Sequence, residues 1–165
     1  MNKNGVLVIV TYDDWLTISY PDENNIVEKI FKLSESIPGM SNRRHGRQIY
    51  NQFLKTGFKN TQILLDKIDT ANKDLEGRLE LFTENFEWRT NYIKRAIENN
   101  PKQKIELQEK LSDLENKLED LRDMFKAEDF FLMESIIVAI GQKEWKYIIE
   151  GFNELDNLLL RKMLI

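Results

Sequence analysis

Two short β-branched runs, Val6 to Val10 and Ile136 to Ile140, stand near opposite ends of a 165-residue chain whose middle is long, charged and helix-favouring. Unbroken apolar runs of this length are too short to cross a membrane. They are typical of strands covered on both faces, in the middle of a sheet. In the stretch "GVLVIVTYDDW" such a strand is expected to end in two acids and a tryptophan, with no strand, helix or nucleotide loop before it. Its neighbour is therefore supplied later in the chain or missing from it.

Between the two runs the pattern divides. "TYDDWLTISYPDENN" reads as a polar loop leading to a helix over about Asn25 to Ser36, with Ile26, Ile30 and Leu33 on one face. Pro38 and Gly39 break it. A second helix carries Ile49, Phe53 and Leu54, and Gly57 takes the left-handed position at its end. "NTQILLDKIDT" then reads as a strand.

From Asn72 to Glu128 the sequence predicts two helical arms interrupted at "ENNPKQ". Leu75, Leu79, Phe82, Phe86 and Ile93 form the stripe of the first arm. Leu107, Leu111, Leu114, Leu118, Leu121 and Phe125 alternate spacings of four and three in the second, a heptad seam. Pro101 suits a first-turn position. The arms are expected to form a helical hairpin whose seam packs within the chain. Phe130 to Ile140, closed by Gly141, is the second buried strand, and 144–165 is an amphipathic helix with Trp145, Ile148, Ile149, Phe152, Leu155 and Leu159 on its apolar side.

The length suits one domain with one core. A net charge of -4 argues against a general nucleic-acid binder, because neutralising phosphates takes clustered Lys and Arg. The absence of Cys excludes disulfides, thiolate metal sites and a Cys nucleophile. A single histidine, His45, excludes a His-based metal site or triad built within one chain. No segment has the length of a signal-peptide core or a membrane span. The expectation is a cytoplasmic protein that engages neither membrane nor nucleic acid.

Three groups of residues are candidates for chemistry. Asp13 and Asp14 follow the carboxyl end of a buried strand, where open α/β sheets bind ligands. Successive extended residues point opposite ways, so at most one of the two aims easily into such a crevice; the simpler alternative is that the two cap or solvate a loop. "NRRHGRQ" is the one dense basic patch, at a helix start, where Arg43, Arg44 or Arg47 either hold an anionic group or pair with surplus acids. Tyr12, Trp15 and Tyr20 either stack on an organic substrate or cover core edges. The seven glycines never cluster, so no nucleotide cradle is encoded here.

Three segments together carry a resemblance. "NKNGVLVIVTYDD" resembles the entry into the fifth strand of class I S-adenosylmethionine-dependent methyltransferases. "HGRQIYNQFLKTGFKNTQILL" is similar to the family's later helix and sixth strand. "EDFFLMESIIVAIGQK" resembles the last strand, which in many members ends in Gly followed by a basic residue. They occur in the family's order over roughly Gly5 to Lys143, with 72–128 matching an insertion that some members carry.

The resemblance implies a helix-rich α/β fold: a partial Rossmann-like sheet of about three strands over 1–143, the hairpin insertion, and the helical tail over 144–165. It also implies that the glycine-rich loop and the acid that bind the cofactor are missing from this chain. S-adenosylmethionine is thus a cofactor by family likeness alone, not expected to bind the isolated chain. Tyr12, Asp13, Asp14, Trp15, Arg44 and Arg47 would line the substrate side. The family's fifth strand lies between the fourth and the seventh, so one edge of Val6 to Val10 would be open, to be closed by a partner chain, by a homodimer or by the tail. Two functions follow: the substrate-side portion of a methyltransferase, inactive alone, or a non-catalytic interaction or dimerisation module. A third possibility, an independent helical protein, requires the two β-branched runs not to pair.

Overall fold

The computed structural model describes residues 5–40 and 43–142. The expected helix over 144–165 lies outside the described residues. The chain is mixed α/β and rich in helix, with one antiparallel sheet of four strands: β1 (Val6–Tyr12), β2 (Ile18–Tyr20), β3 (Lys59–Asp69) and β4 (Phe131–Gln142). The two β-branched runs do pair. β1 runs antiparallel to the second half of β4, from Val6↔Gln142 to Tyr12↔Ile136. The first part of β4 pairs with β2, and β3 also pairs with β4. The fourth strand is β2, in the stretch expected to be loop. Its three residues are too few to show an alternating pattern.

The chain divides into two compact units. The first contains β1, residues 45–66 and the second half of β4. Its helix α2 (Ile49–Lys55) covers one sheet face, where Ile49, Phe53 and Phe58 pack with Leu7, Ile9, Ile137 and Ala139. Gly57 closes the helix at φ 80°, as expected, while Leu54 is exposed. A Cβ on Gly141 would lie 2.6 Å from Phe53 Cδ2, so glycine is required by the closeness of the ring.

The expectation of a strand covered on both faces is corrected for β1. Val6, Val8 and Val10 are 56%, 46% and 60% exposed. α2 is the one α-helix among the described residues of this unit, and it covers the opposite face.

The second unit contains residues 13–44 and 67–135. Here α1 (Ile26–Glu35) packs on α5 (Lys104–Lys126), which also packs against α3 (Leu75–Phe82) and α4 (Trp88–Asn99). The hairpin is formed. Leu107, Leu114, Leu118, Leu121 and Phe125 are buried in one core with Ile30, Phe82, Phe86 and Ile93, so the heptad seam is internal. Pro101 opens a single 3-10 turn just before α5. Asp74 caps α3, its Oδ1 accepting from the Gly77 amide at 2.9 Å.

A π-helical turn over Thr83–Glu87 joins α3 to α4. Across it Phe82, Phe86, Arg89 and Ile93 are all buried, so a charged residue sits among the core residues of the arm.

Candidate functional site

The second unit holds a buried ionic cluster built around Asp14. The chain leaves β1 at Asp13, whose extended backbone lets Oδ1 accept from the Trp15 amide at 3.1 Å and so cap a 3-10 turn over Asp14–Leu16. This turn draws Asp14 inward. Its Oδ1 accepts from Arg43 Nε at 2.6 Å, its Oδ2 from Arg89 Nη2 at 3.1 Å, and its amide donates to the Arg43 carbonyl at 3.1 Å. Asp13 and Asp14 are both buried.

Arg89 is the most enclosed charge of the cluster, with none of its surface exposed. Its Nη1 donates to the Asn85 carbonyl, and its guanidinium stacks on Trp88 at 4.6 Å, with Phe86 and Phe31 at 5.1 and 5.2 Å. Burial pulls its pKa down to about 10, with Asp14 opposing the shift, so it remains charged at neutral pH.

Glu134 on β4 completes the cluster. It is 3% exposed, and neither carboxylate oxygen has a hydrogen-bond partner among the described residues; Arg89 Nε and Thr17 Oγ1 are likewise unpartnered. Desolvation pushes the Glu134 carboxyl up to about 7, against the attraction of Arg89.

A second, more exposed group lies at Trp15. Its Nε1 donates to Glu35 Oε1 at 2.9 Å, and Arg44 grips Glu35 with Nε and Nη2, each at 2.9 Å, while lying 4.1 Å over the Trp15 ring. The Arg44 hydrogen bond holds the Glu35 carboxyl below its usual range, with partial burial opposing and Trp15 assisting.

The sequence candidates are thus divided. Asp13, Asp14, Trp15 and Arg44 belong to the second unit, with Arg43; Tyr12 and Arg47 belong to the first. Tyr12 is half-buried opposite Ile136, and Arg47 is exposed. Asp13 caps a turn, whereas Asp14 neither caps nor solvates a loop but is buried against two arginines. Arg43 pairs with the buried Asp14 and Arg44 with the partly exposed Glu35. Tyr20 is 73% exposed.

Arg89 and Glu134 are absent from the sequence candidates. Both carried a signal. Arg89 interrupts the stripe Phe82, Phe86, Ile93 at the spacing of an apolar position, and Glu134 interrupts the apolar run "FFLMESIIVAI". A charge where the pattern calls for a core residue needs a buried partner.

Among the described residues no group of three His, Cys, Asp or Glu could hold a metal ion, and no helix is long and apolar enough to cross a membrane. No family model matches the sequence, and no curated protein matches it either.

Proposed function

We propose that these residues form the substrate-side, carboxyl-terminal portion of a class I methyltransferase-like protein whose cofactor-binding half is not contained in the 165 residues. One observation carries this reading: β1 is paired along its whole length with the last strand, while its other edge has no partner among the described residues. That is the situation of the family's fifth strand when its seventh is present and its fourth is not. β3 would then be the sixth strand, and the helical hairpin between β3 and β4 the insertion. The sheet would be part of a Rossmann-like one.

S-adenosylmethionine does not fit the described residues by themselves. Gly39 and Gly57, the described glycines with positive φ, lie in separate turns after α1 and α2, and the space beside Gly141 is filled by Phe53. A glycine-rich cradle would have to come from other polypeptide. Asp14 follows β1 by two residues in sequence, in the stretch the resemblance gives to the substrate side.

The test is reconstitution. S-adenosylhomocysteine is titrated into the 165-residue chain alone, then into its mixture with a polypeptide bearing the first four strands of such a sheet. The expected result is no binding by the chain alone, binding by the mixture, and new hydrogen-exchange protection of the β1 amides. Tight binding by the chain alone would overturn the assignment of the cofactor site elsewhere; absence of β1 protection in a folded mixture would overturn the reading.

The exposed Val6, Val8 and Val10 beside an open edge favour one alternative, a non-catalytic module that closes β1 on a partner or a second copy. Light scattering separates the two. A stable homodimer of the isolated chain that excludes the first-half polypeptide supports the module.

A further inference from the structure

In the first unit, one face of the sheet is apolar and has no helix over it among the described residues. Val6, Val8 and Val10 are exposed on β1, and across the ladder Val8 stands opposite Ile140 and Val10 opposite Val138. Residues opposite each other in an antiparallel pair share a face, so the half-buried Ile136, Val138 and Ile140 lie on the side of the valines. Along the other edge of β4, the Thr70 amide donates to the Leu132 carbonyl at one end of the pairing with β3, and Asn60 Nδ2 donates to Gln142 Oε1 at the other. Counting inward from both ends places the exposed Leu64 across from Val138. α2 packs on the opposite face, against Ile137 and Ala139.

The dimensions of the open face select what can cover it. From Ile136 to Gln142 β4 is about 23 Å long and three strands span about 14 Å, so the face measures roughly 320 Å² in projection. A stable interface between two copies takes about 800 Å² from each. A single helix, about 10 Å across and about 22 Å long for residues 145–159, fits the smaller area. β4 ends at Gln142, opposite Val6 at one end of this face, and residues 143–165 follow it. In that stretch Trp145, Ile148, Ile149, Phe152, Leu155 and Leu159 recur at helical spacing, while Lys146, Glu150, Asn153 and Asn157 fall on the other side. Residues 143–144 supply a reversal of ordinary length for a strand-to-helix connection.

We propose that residues 145–159 pack as a helix on this face, running back along β4 with Phe152 over Val138, and so close the sheet from within the chain. The helix follows β4, with the β1 valines along one flank and Leu64 along the other, where a long side chain can pass beside it to water. It covers a face and leaves the free edge amides of β1 as they are. The proposal is therefore independent of the function proposed above and of the reconstitution that tests it.

The chain has no cysteine, so introduced pairs report proximity directly. Val138→Cys with Phe152→Cys, and Val138→Cys with Asn153→Cys as comparator, are oxidised in dilute solution and the disulfides located by mass spectrometry of the digested full chain. The first pair should close within one chain about tenfold faster than the second, because adjacent helical positions point about 100° apart and a disulfide tolerates little misalignment. Equal rates would overturn the proposal, since an undocked segment presents both positions alike. Disulfides between chains, growing with concentration, would overturn it in favour of a second copy. Should a cysteine pair fail to fold, Ile149→Asp with Phe152→Asp in the full chain still decides: baring the face should raise the fluorescence of the apolar-surface dye anilinonaphthalene sulfonate several-fold. Unchanged dye binding would mean that these residues do not cover the sheet.

Discussion

Arg89 Nη2 donates to Asp14 Oδ2 at 3.1 Å, and the two side chains retain 0% and 5% of their exposure. Asp14 also takes Arg43, so one carboxylate answers two guanidinium groups from different parts of the unit. A buried charge that loses its partner is costly, more so than the pair is worth against apolar replacements.

Asp14→Ala is therefore expected to destabilise the second unit by about 3–5 kcal/mol, because it removes the carboxylate that accepts from both Arg89 and Arg43. Asp14→Ala with Arg89→Met should be less destabilised than Asp14→Ala alone. Urea unfolding followed by Trp fluorescence measures both. A double variant no more stable than the single would show that the pairing is not what holds Arg89.

Glu134 gives stability a pH dependence of known sign. In the unfolded chain it titrates near 4.5 and in the folded chain near 7. Between those values the native state holds a proton that the unfolded state has lost, so this contribution is full below about pH 4.5 and declines as pH rises toward 7. The full change is about 3 kcal/mol. Glu134→Gln should leave stability nearly unchanged at pH 4.5 and raise it at pH 8. The difference between wild type and variant across pH isolates the group from the other carboxylates. A constant difference would mean that Glu134 keeps an ordinary pKa.

Much of the fold could be read from residue patterns because those patterns are periodic and local. The seam from Leu107 to Phe125 is buried as its spacing required, and Gly57 takes its left-handed turn. β2 was missed because three residues carry no period, and the cover of β1 was misjudged because an apolar run does not say how many faces find a neighbour. The site was half legible. Asp14 and Arg43 lie in conspicuous charged stretches, whereas Arg89 and Glu134 come from segments distant in sequence and are recognisable only as charges inside apolar patterns.

The contact at Gly141 predicts a packing defect. Gly141→Ala would place a methyl 2.6 and 2.8 Å from Phe53 Cδ2 and Cε2 and 3.0 Å from Phe58 Cδ1. Overpacking of this kind costs about 1–3 kcal/mol. Adding Phe53→Leu should recover part of that loss when thermal unfolding of the single and double variants is compared. Additive losses would mean that the ring and the methyl do not meet.

β1 makes the sharpest prediction about association. Its residues Val6 to Tyr12 carry no charge, proline or bulge, yet the strand is at the edge of the sheet among the described residues, with three valines exposed. Proteins that leave such an edge open usually protect it with charge, because free N–H and C=O groups recruit another strand. Val8→Lys puts a charge on the exposed face, where a surface substitution changes stability by less than about 1 kcal/mol. It should lower the mass of the isolated chain in light scattering toward that of a monomer at unchanged helix content. Ile9→Lys, one residue along, enters the packing against α2 and should instead lower the unfolding midpoint. If Val8→Lys leaves the mass distribution unchanged, the edge of β1 is already covered within the chain.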